Sequence, residues 1–157
     1  MKIKSYKSHE INSCREASQI SATILDELVK FIGEGITTEE IDNFCFKRIK
    51  ELGGVPAPLF YRGFPKSSCT SLNHVICHGI PSSNRKLLDG DILNIDITTI
   101  IDGWHGDTSR MFKIGNISVK AHKLCEITHL CLIESINEIK VGDPISKIGK
   151  KIDHIAN

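Results

Sequence analysis

Two hydrophobic rhythms alternate along the chain, and the switches between them divide it into segments. Over residues 9–32 the apolar positions Cys14, Ala17, Ile20, Ile24, Leu28 and Phe31 recur three or four apart, which predicts one face of an amphipathic helix. Gly33 and Gly35 end that pattern. Thr37 answered by Glu40 is a capping box, and it opens a second helix carrying Ile41, Phe44, Cys45, Ile49 and Leu52 inward. Gly53 and Gly54 stop it. From residue 55 to 112 the period shortens to that of strands, at 69–76, 91–101 and 104–112, separated by Gly, Pro, Ser and Asn turns. Helical spacing returns over 120–139 through Leu124, Thr128, Cys131, Ser135 and Ile139.

A second copy of the early pattern follows. The run Gly35-Ile36-Thr37-Thr38-Glu39-Glu40-Ile41 is echoed by Gly142-Asp143-Pro144-Ile145-Ser146-Lys147-Ile148, 107 positions later. Each run follows a long amphipathic helix, and each is expected to begin a new one, capped by Thr37 in the first and by Asp143 with Pro144 behind it in the second. Repetition of this kind reads as two related halves. Residues 1–115 are expected to hold a first half and 116–157 the helical start of a second.

The pairing of the two long strands places the chemistry. Asp102-Gly103 is the signal of a two-residue hairpin turn, so Ile101 is expected to face Trp104. Asp107 then lies opposite Thr98 and Asp96 opposite Ser109, making the two aspartates diagonal neighbours about 7–8 Å apart at the backbone. Their face also carries Thr98, His105 and Ser109. The opposite face carries Leu93, Ile95, Ile97, Ile101, Trp104 and Thr108 and is the one expected on the core. Strand interiors disfavour Asp, and two carboxylates this close share a proton, flank a cation or face water. Like charges on a solvated face oppose the fold, which favours the cation, and carboxylate oxygens suit Mn²⁺, Fe²⁺, Co²⁺ or Mg²⁺. Two acids are too few for a closed site. His78 ends the first strand at a turn, where an imidazole reaches into a cleft. Cys69 and Cys77 read as packing residues, since nothing near them in sequence activates a thiolate.

Composition narrows the setting. A chain of 157 residues with 40% hydrophobic and 25% charged residues is expected to be one soluble domain. Twenty basic against nineteen acidic residues remove the electrostatic case for nucleic-acid or anionic-membrane binding. Six cysteines without a C-x-x-C pair, and no signal-peptide or membrane-spanning run, point to reduced thiols and a cytoplasmic protein.

Three stretches carry a family resemblance: EINSCREASQISATILDELV, YRGFPKSSCTSLNHVICHGIP and LLDGDILNIDITTIIDGWHGDTSRMF. Together they resemble the type I methionine aminopeptidases of bacterial type, over nearly the whole chain. The resemblance implies an α/β (α+β) pita-bread fold, with an antiparallel sheet, packed helices and two pseudo-symmetric halves. It implies hydrolytic removal of the initiator methionine from nascent polypeptides whose second residue is small, near the ribosome, by a monomer. Two divalent ions (Co, Mn, Fe, Zn or Ni) are implied, with Asp96 a bidentate ligand of one and Asp107 the bridge between them. His78 resembles the histidine that contacts the scissile peptide, and Tyr61, Phe64 and Cys69 match the methionine pocket. The backbone oxygens of Asn73 and Val75 match holders of a monovalent cation. Further family ligands, one His and two Glu, with a second substrate-contacting His, belong to a second half of which the chain holds only the first helices. The 157-residue chain itself is therefore expected to be inactive. Pro58 and Phe64 stand where many relatives have Cys and Tyr, which alters pocket shape. A catalytically dead pita-bread binding module is the rival reading, disfavoured because both available carboxylate ligands are intact. A prolidase-type peptidase is disfavoured by the methionine-pocket segments.

Overall fold

A computed structural model describes residues 5–157. These divide into two compact units, the first ending at Asn116 and the second running Ile117–Asn157. In the first, α1 (Ser8–Phe31) and α2 (Thr38–Glu51) precede four strands, β1 (Val55–Pro56), β2 (Cys69–Leu72), β3 (Ile92–Ile101) and β4 (Trp104–Lys113). The second holds α3 (Val119–Glu138) and α4 (Ser146–Ala156). None of the described helices is long and apolar enough to cross a membrane.

Strand β3 organises the sheet. Along one edge it pairs antiparallel with the whole of β4. Along the other it pairs with β1 at Thr99–Ile100 and with β2 at Leu93–Asp96. Alternate residues of β3 point to one side, and there Leu93, Ile95 and Ile97 are wholly buried against Ile24 and Leu28 of α1 and Ile41 and Ile49 of α2. Helices α1 and α2 both pack on this face, and the Asp96 side of the hairpin lines the cavity described below. The Thr37–Glu40 capping box forms as its sequence indicates, with the Thr37 hydroxyl accepting from the Glu40 amide.

Helix α1 lies so close to the hairpin that only glycine fits at position 106. A Cβ there would stand 2.1 Å from the carbonyl carbon of Ala17 and 2.2 Å from the amide nitrogen of Ser18. At the same contact the Ser21 hydroxyl donates to the Gly106 carbonyl at 2.8 Å and lies 3.0 Å from the Thr99 hydroxyl. A buried pair of hydroxyls is thereby satisfied inside an otherwise apolar layer.

Two expectations need correction. The strand expected over 69–76 ends at Leu72, because Asn73 turns the chain with φ at +51°. Its side chain donates to Asp91 Oδ1 at 2.7 Å and accepts from the Ile92 amide at 3.0 Å, pinning the turn to the start of β3. Asp143 does not cap α4. Its Oδ2 faces backward, accepting from the Lys140 amide at 2.9 Å and from Lys147 Nζ at 3.0 Å, and the helix begins three residues later without a side-chain cap. The linkers still match in shape: Ile32 and Ile139 close α1 and α3 with the same dihedral angles to within 4°, and Gly35 and Gly142 both take positive φ. Asp143 stands where the first copy has Ile36 and Pro144 where it has Thr37, so the cap residue itself is not repeated.

Gly106→Ala is expected to lower stability by about 1–3 kcal/mol, since helix or strand backbone must move aside for one methyl group. Ser21→Ala is expected to cost about 1–2 kcal/mol through the unpaired groups it leaves. Urea unfolding midpoints check both, and an unchanged midpoint for Gly106→Ala would contradict the packing described.

Candidate metal centre and substrate cavity

The hairpin turn sets the geometry of the site. Asp102 and Gly103 take φ of +48° and +81°, and Ile101 pairs with Trp104. The register follows without slippage: Asp107 faces Thr98 and Asp96 faces Ser109. On the opposite edge of β3, Cys69 faces Asp96. The two aspartates therefore share one face of a rigid ladder, on backbone that has no freedom to separate them.

The two carboxyl groups act on each other electrostatically. Burial pushes the Asp96 carboxyl above the ordinary aspartate range, the negative charge of Asp107 pushes it further, and a hydrogen bond between the two carboxyl groups adds to the effect. His78 acts in the opposite direction. Burial raises the Cys69 thiol to about 11, with the Asp96 charge reinforcing it. At neutral pH Cys69 is therefore a protonated, weakly polar wall and no nucleophile.

A cavity of about 850 Å³ opens over this face. Asp96, Asp107 and His78 line it, and Tyr61, Phe64 and Cys69 form its less polar wall. Six residues singled out from sequence thus meet in one place. His78 does so from a turn at φ +56°, six residues beyond the end of β2, and not from a strand end. Asn73 and Val75 do not join them. Asn73 is tied to Asp91 and Ile92, and Val75 lines a smaller cavity of about 510 Å³ beside Thr38 and Thr70. Sequence reading passed over Arg62 and Ile80, which also line the larger cavity. Arg62 lies between Tyr61 and Phe64, and that adjacency was the available signal.

The loop that carries Tyr61 and Phe64 is anchored from α2. Asp42 Oδ1 accepts from the Ser67 amide at 2.9 Å, the Ser68 amide at 2.8 Å and the Ser68 hydroxyl at 2.8 Å. Burial raises the Asp42 carboxyl, and these three hydrogen bonds work against that rise. An ion pair between Lys66 and Glu39 adds a second tie.

The donor set partly fits a metal. Asp96 and Asp107 offer up to four hard oxygens and a repulsion that a cation would relieve. Among the described residues, however, no group of three or more His, Cys, Asp or Glu side chains converges to hold an ion. The pair supplies one side of a coordination shell.

A family model matches the sequence over most of its length. Residues 12–157 fit metallopeptidase family M24, and the chain belongs to that family. Within it, the chain is 48% identical over 143 residues to methionine aminopeptidase A of Synechocystis, covering 91% of this chain and 56% of the relative. It is 39% identical to the methionine aminopeptidase of Rickettsia prowazekii over 99% of this chain and 60% of the relative. The crystal structure of the methionine aminopeptidase from Rickettsia prowazekii superposes with a TM-score of 0.95, and that of Thermotoga maritima, 25% identical, with 0.94; each match covers 62% of the solved chain. The fold is the pita-bread architecture of those enzymes, and this chain spans little more than half the length of the curated relatives it matches.

In metal-free protein the carboxylate pair should weaken the fold. A carboxyl whose pKa rises on folding favours the folded state below the unfolded value near 3.8 and loses that contribution as pH climbs through the folded value. Asp107→Asn removes the like charge, so at pH 7 in chelator it is expected to exceed wild type in stability by about 0.5–1 kcal/mol, a gain that vanishes below about pH 4. Added Mn²⁺ should raise the melting temperature of wild type and leave Asp107→Asn nearly unmoved. Equal metal response in both proteins would exclude Asp107 as a ligand.

Proposed function

We propose that this chain carries one side of the active site of a metal-dependent methionine aminopeptidase, which removes the initiator methionine from nascent polypeptides when the second residue is small. The observation that carries the reading is the Asp96–Asp107 pair beside His78, in a cavity whose other wall is Tyr61, Phe64 and Cys69. Carboxylates alone suit many cations, and an aromatic slot alone suits many side chains. Their adjacency suits a ligand with a free amine at one end and a flexible apolar side chain one bond away.

Asp96 and Asp107 would hold two divalent ions, Asp107 between them. Bound there, the ions would supply an acidified water and a Lewis acid for the peptide carbonyl. The protein side chains divide the remaining work. Tyr61 and Phe64 enclose the thioether side chain with large, weakly polar surface, and the protonated Cys69 thiol packs at its base without competing for the metals. His78, held at positive φ in the cavity lining, would hydrogen-bond the reacting peptide. The rigid ladder fixes both carboxylates before substrate arrives, so little reorganisation accompanies binding. Asn73 and Val75 carbonyls would hold a monovalent cation apart from the cavity. A cytoplasmic monomer working on peptides as they leave the ribosome agrees with the balanced charge of 20 basic and 19 acidic residues.

Two carboxylates leave most of each metal's shell to water, so residues 1–157 alone are expected not to cleave a Met-Ala-Ser peptide. A chimera that continues from Asn157 into the remaining length of the Rickettsia prowazekii relative is expected to cleave it with Mn²⁺ present. In that chimera His78→Ala should lower kcat roughly 10²–10⁴-fold with little change in KM and full metal content. Asp107→Asn should lose metal and activity together. Steady-state kinetics beside metal titration by calorimetry separates the two roles. Uncleaved peptide with a metal-loaded chimera would favour a binding module instead.

A further inference from the structure

The lip of the cavity is built from strained backbone. Phe60 and Arg62 both adopt the left-handed region, at φ +65° and +47°, and Gly63 follows at +83°. Side chains with a Cβ seldom adopt that region unless surrounding bonds enforce it. Here they do. Phe60 N–H donates to the Phe64 carbonyl at 2.7 Å, Phe64 N–H to the Tyr61 carbonyl at 2.9 Å, and Tyr61 N–H to the Pro58 carbonyl at 3.0 Å.

The result is a fixed position for one cation. The Arg62 guanidinium lies 5.5 Å from the centre of the Tyr61 ring, close enough for attraction to the ring face. Arg62 is exposed and lines the cavity that holds Asp96 and Asp107. The other basic residue of the loop, Lys66, is engaged by Glu39, whereas Arg62 has no carboxylate partner among the described residues. A folded loop could present this charge anywhere on the surface. This one spends backbone strain to hold it at the mouth of the cavity.

We infer that Arg62 is a specificity-determining residue that recognises a carboxylate side chain on the peptide downstream of its second residue. The inference rests on the reading of the cavity under Proposed function. With the amine at the aspartates and the methionine side chain between Tyr61 and Phe64, the rest of an extended peptide leaves across the lip, advancing about 3.3 Å per residue. Positions three to five then pass the reach of a side chain mounted between the two pocket aromatics. A guanidinium pre-placed over a ring pairs with Asp or Glu at small entropic cost and repels Lys or Arg at the same positions.

The test measures binding, so it does not depend on turnover. Two dye-labelled peptide amides, Met-Ala-Ser-Glu-Glu and Met-Ala-Ser-Lys-Lys, are titrated by fluorescence anisotropy against the 157-residue chain saturated with Mn²⁺ at low ionic strength. The acidic peptide is expected to bind about three- to fivefold more tightly, as suits one solvent-exposed ion pair. Arg62→Gly, which relieves the backbone strain and leaves the turn intact, should bring the two affinities together, and Arg62→Lys should keep most of the difference. Equal affinities in wild type, or a preference that survives Arg62→Gly, would overturn the role of Arg62 and leave the methionine-pocket reading standing. Failure of both peptides to bind would overturn that reading and this inference with it.

Discussion

The Asp102-Gly103 turn is the constraint on which the rest depends. Two residues at positive φ match the twist of the strands they join, and so they admit one register of β3 against β4. That register alone decides that Asp96 and Asp107 share a face and that Leu93, Ile95 and Ile97 share the other. A slip of one residue would bury the carboxylates among the helices and expose the isoleucines. The core and the site are thus two sides of one hydrogen-bonded ladder, and the burial of three aliphatic side chains on α1 and α2 is also what holds the acidic face outward.

Polar anchors complete the cavity where hydrophobic packing cannot reach. Loop backbone has no ladder of its own, so its amides need other partners. Asp42 supplies them for Ser67 and Ser68, just before Cys69 begins β2. Asn73 does the same at the end of that strand, bonding to Asp91 and Ile92. Between these two anchors β2 is short and fully buried, with Cys69 set opposite Asp96. The pocket wall and the Asp96 carboxylate are positioned by the same few bonds. The approach of α1 at Gly106 then removes slack from the opposite side of the sheet.

Electrostatic tension marks the place where this rigidity serves chemistry. A fold selected for stability alone would not set two carboxylates side by side on half-buried strands, raise one above its ordinary range and place an imidazole beside them. The strain in the Phe60–Gly63 lip belongs to the same pattern, with backbone held out of its preferred region beside the cavity. The carboxylate pair is what the proposed metallopeptidase reading rests on, and the lip is a feature that geometry brings forward.

Local patterns determined much of this protein. The periods of α1 and α2, the Thr37–Glu40 box, the hairpin turn and the side of the sheet taken by each aspartate all follow from residues within a few positions of one another, where short-range sterics and hydrogen bonding decide the outcome. The ends of β2, the orientation of Asp143, the turn bearing His78 and the lining role of Arg62 were settled by tertiary structure. Each depends on a partner distant in sequence or on a backbone conformation enforced by its surroundings. Asn73 reads as strand until Asp91 and Ile92 are beside it, 18 and 19 residues on. The convergence of Tyr61, Cys69, His78, Asp96 and Asp107 on one cavity is likewise a property of the folded sheet, because only pairing across β2, β3 and β4 brings those separated positions within reach of one ligand.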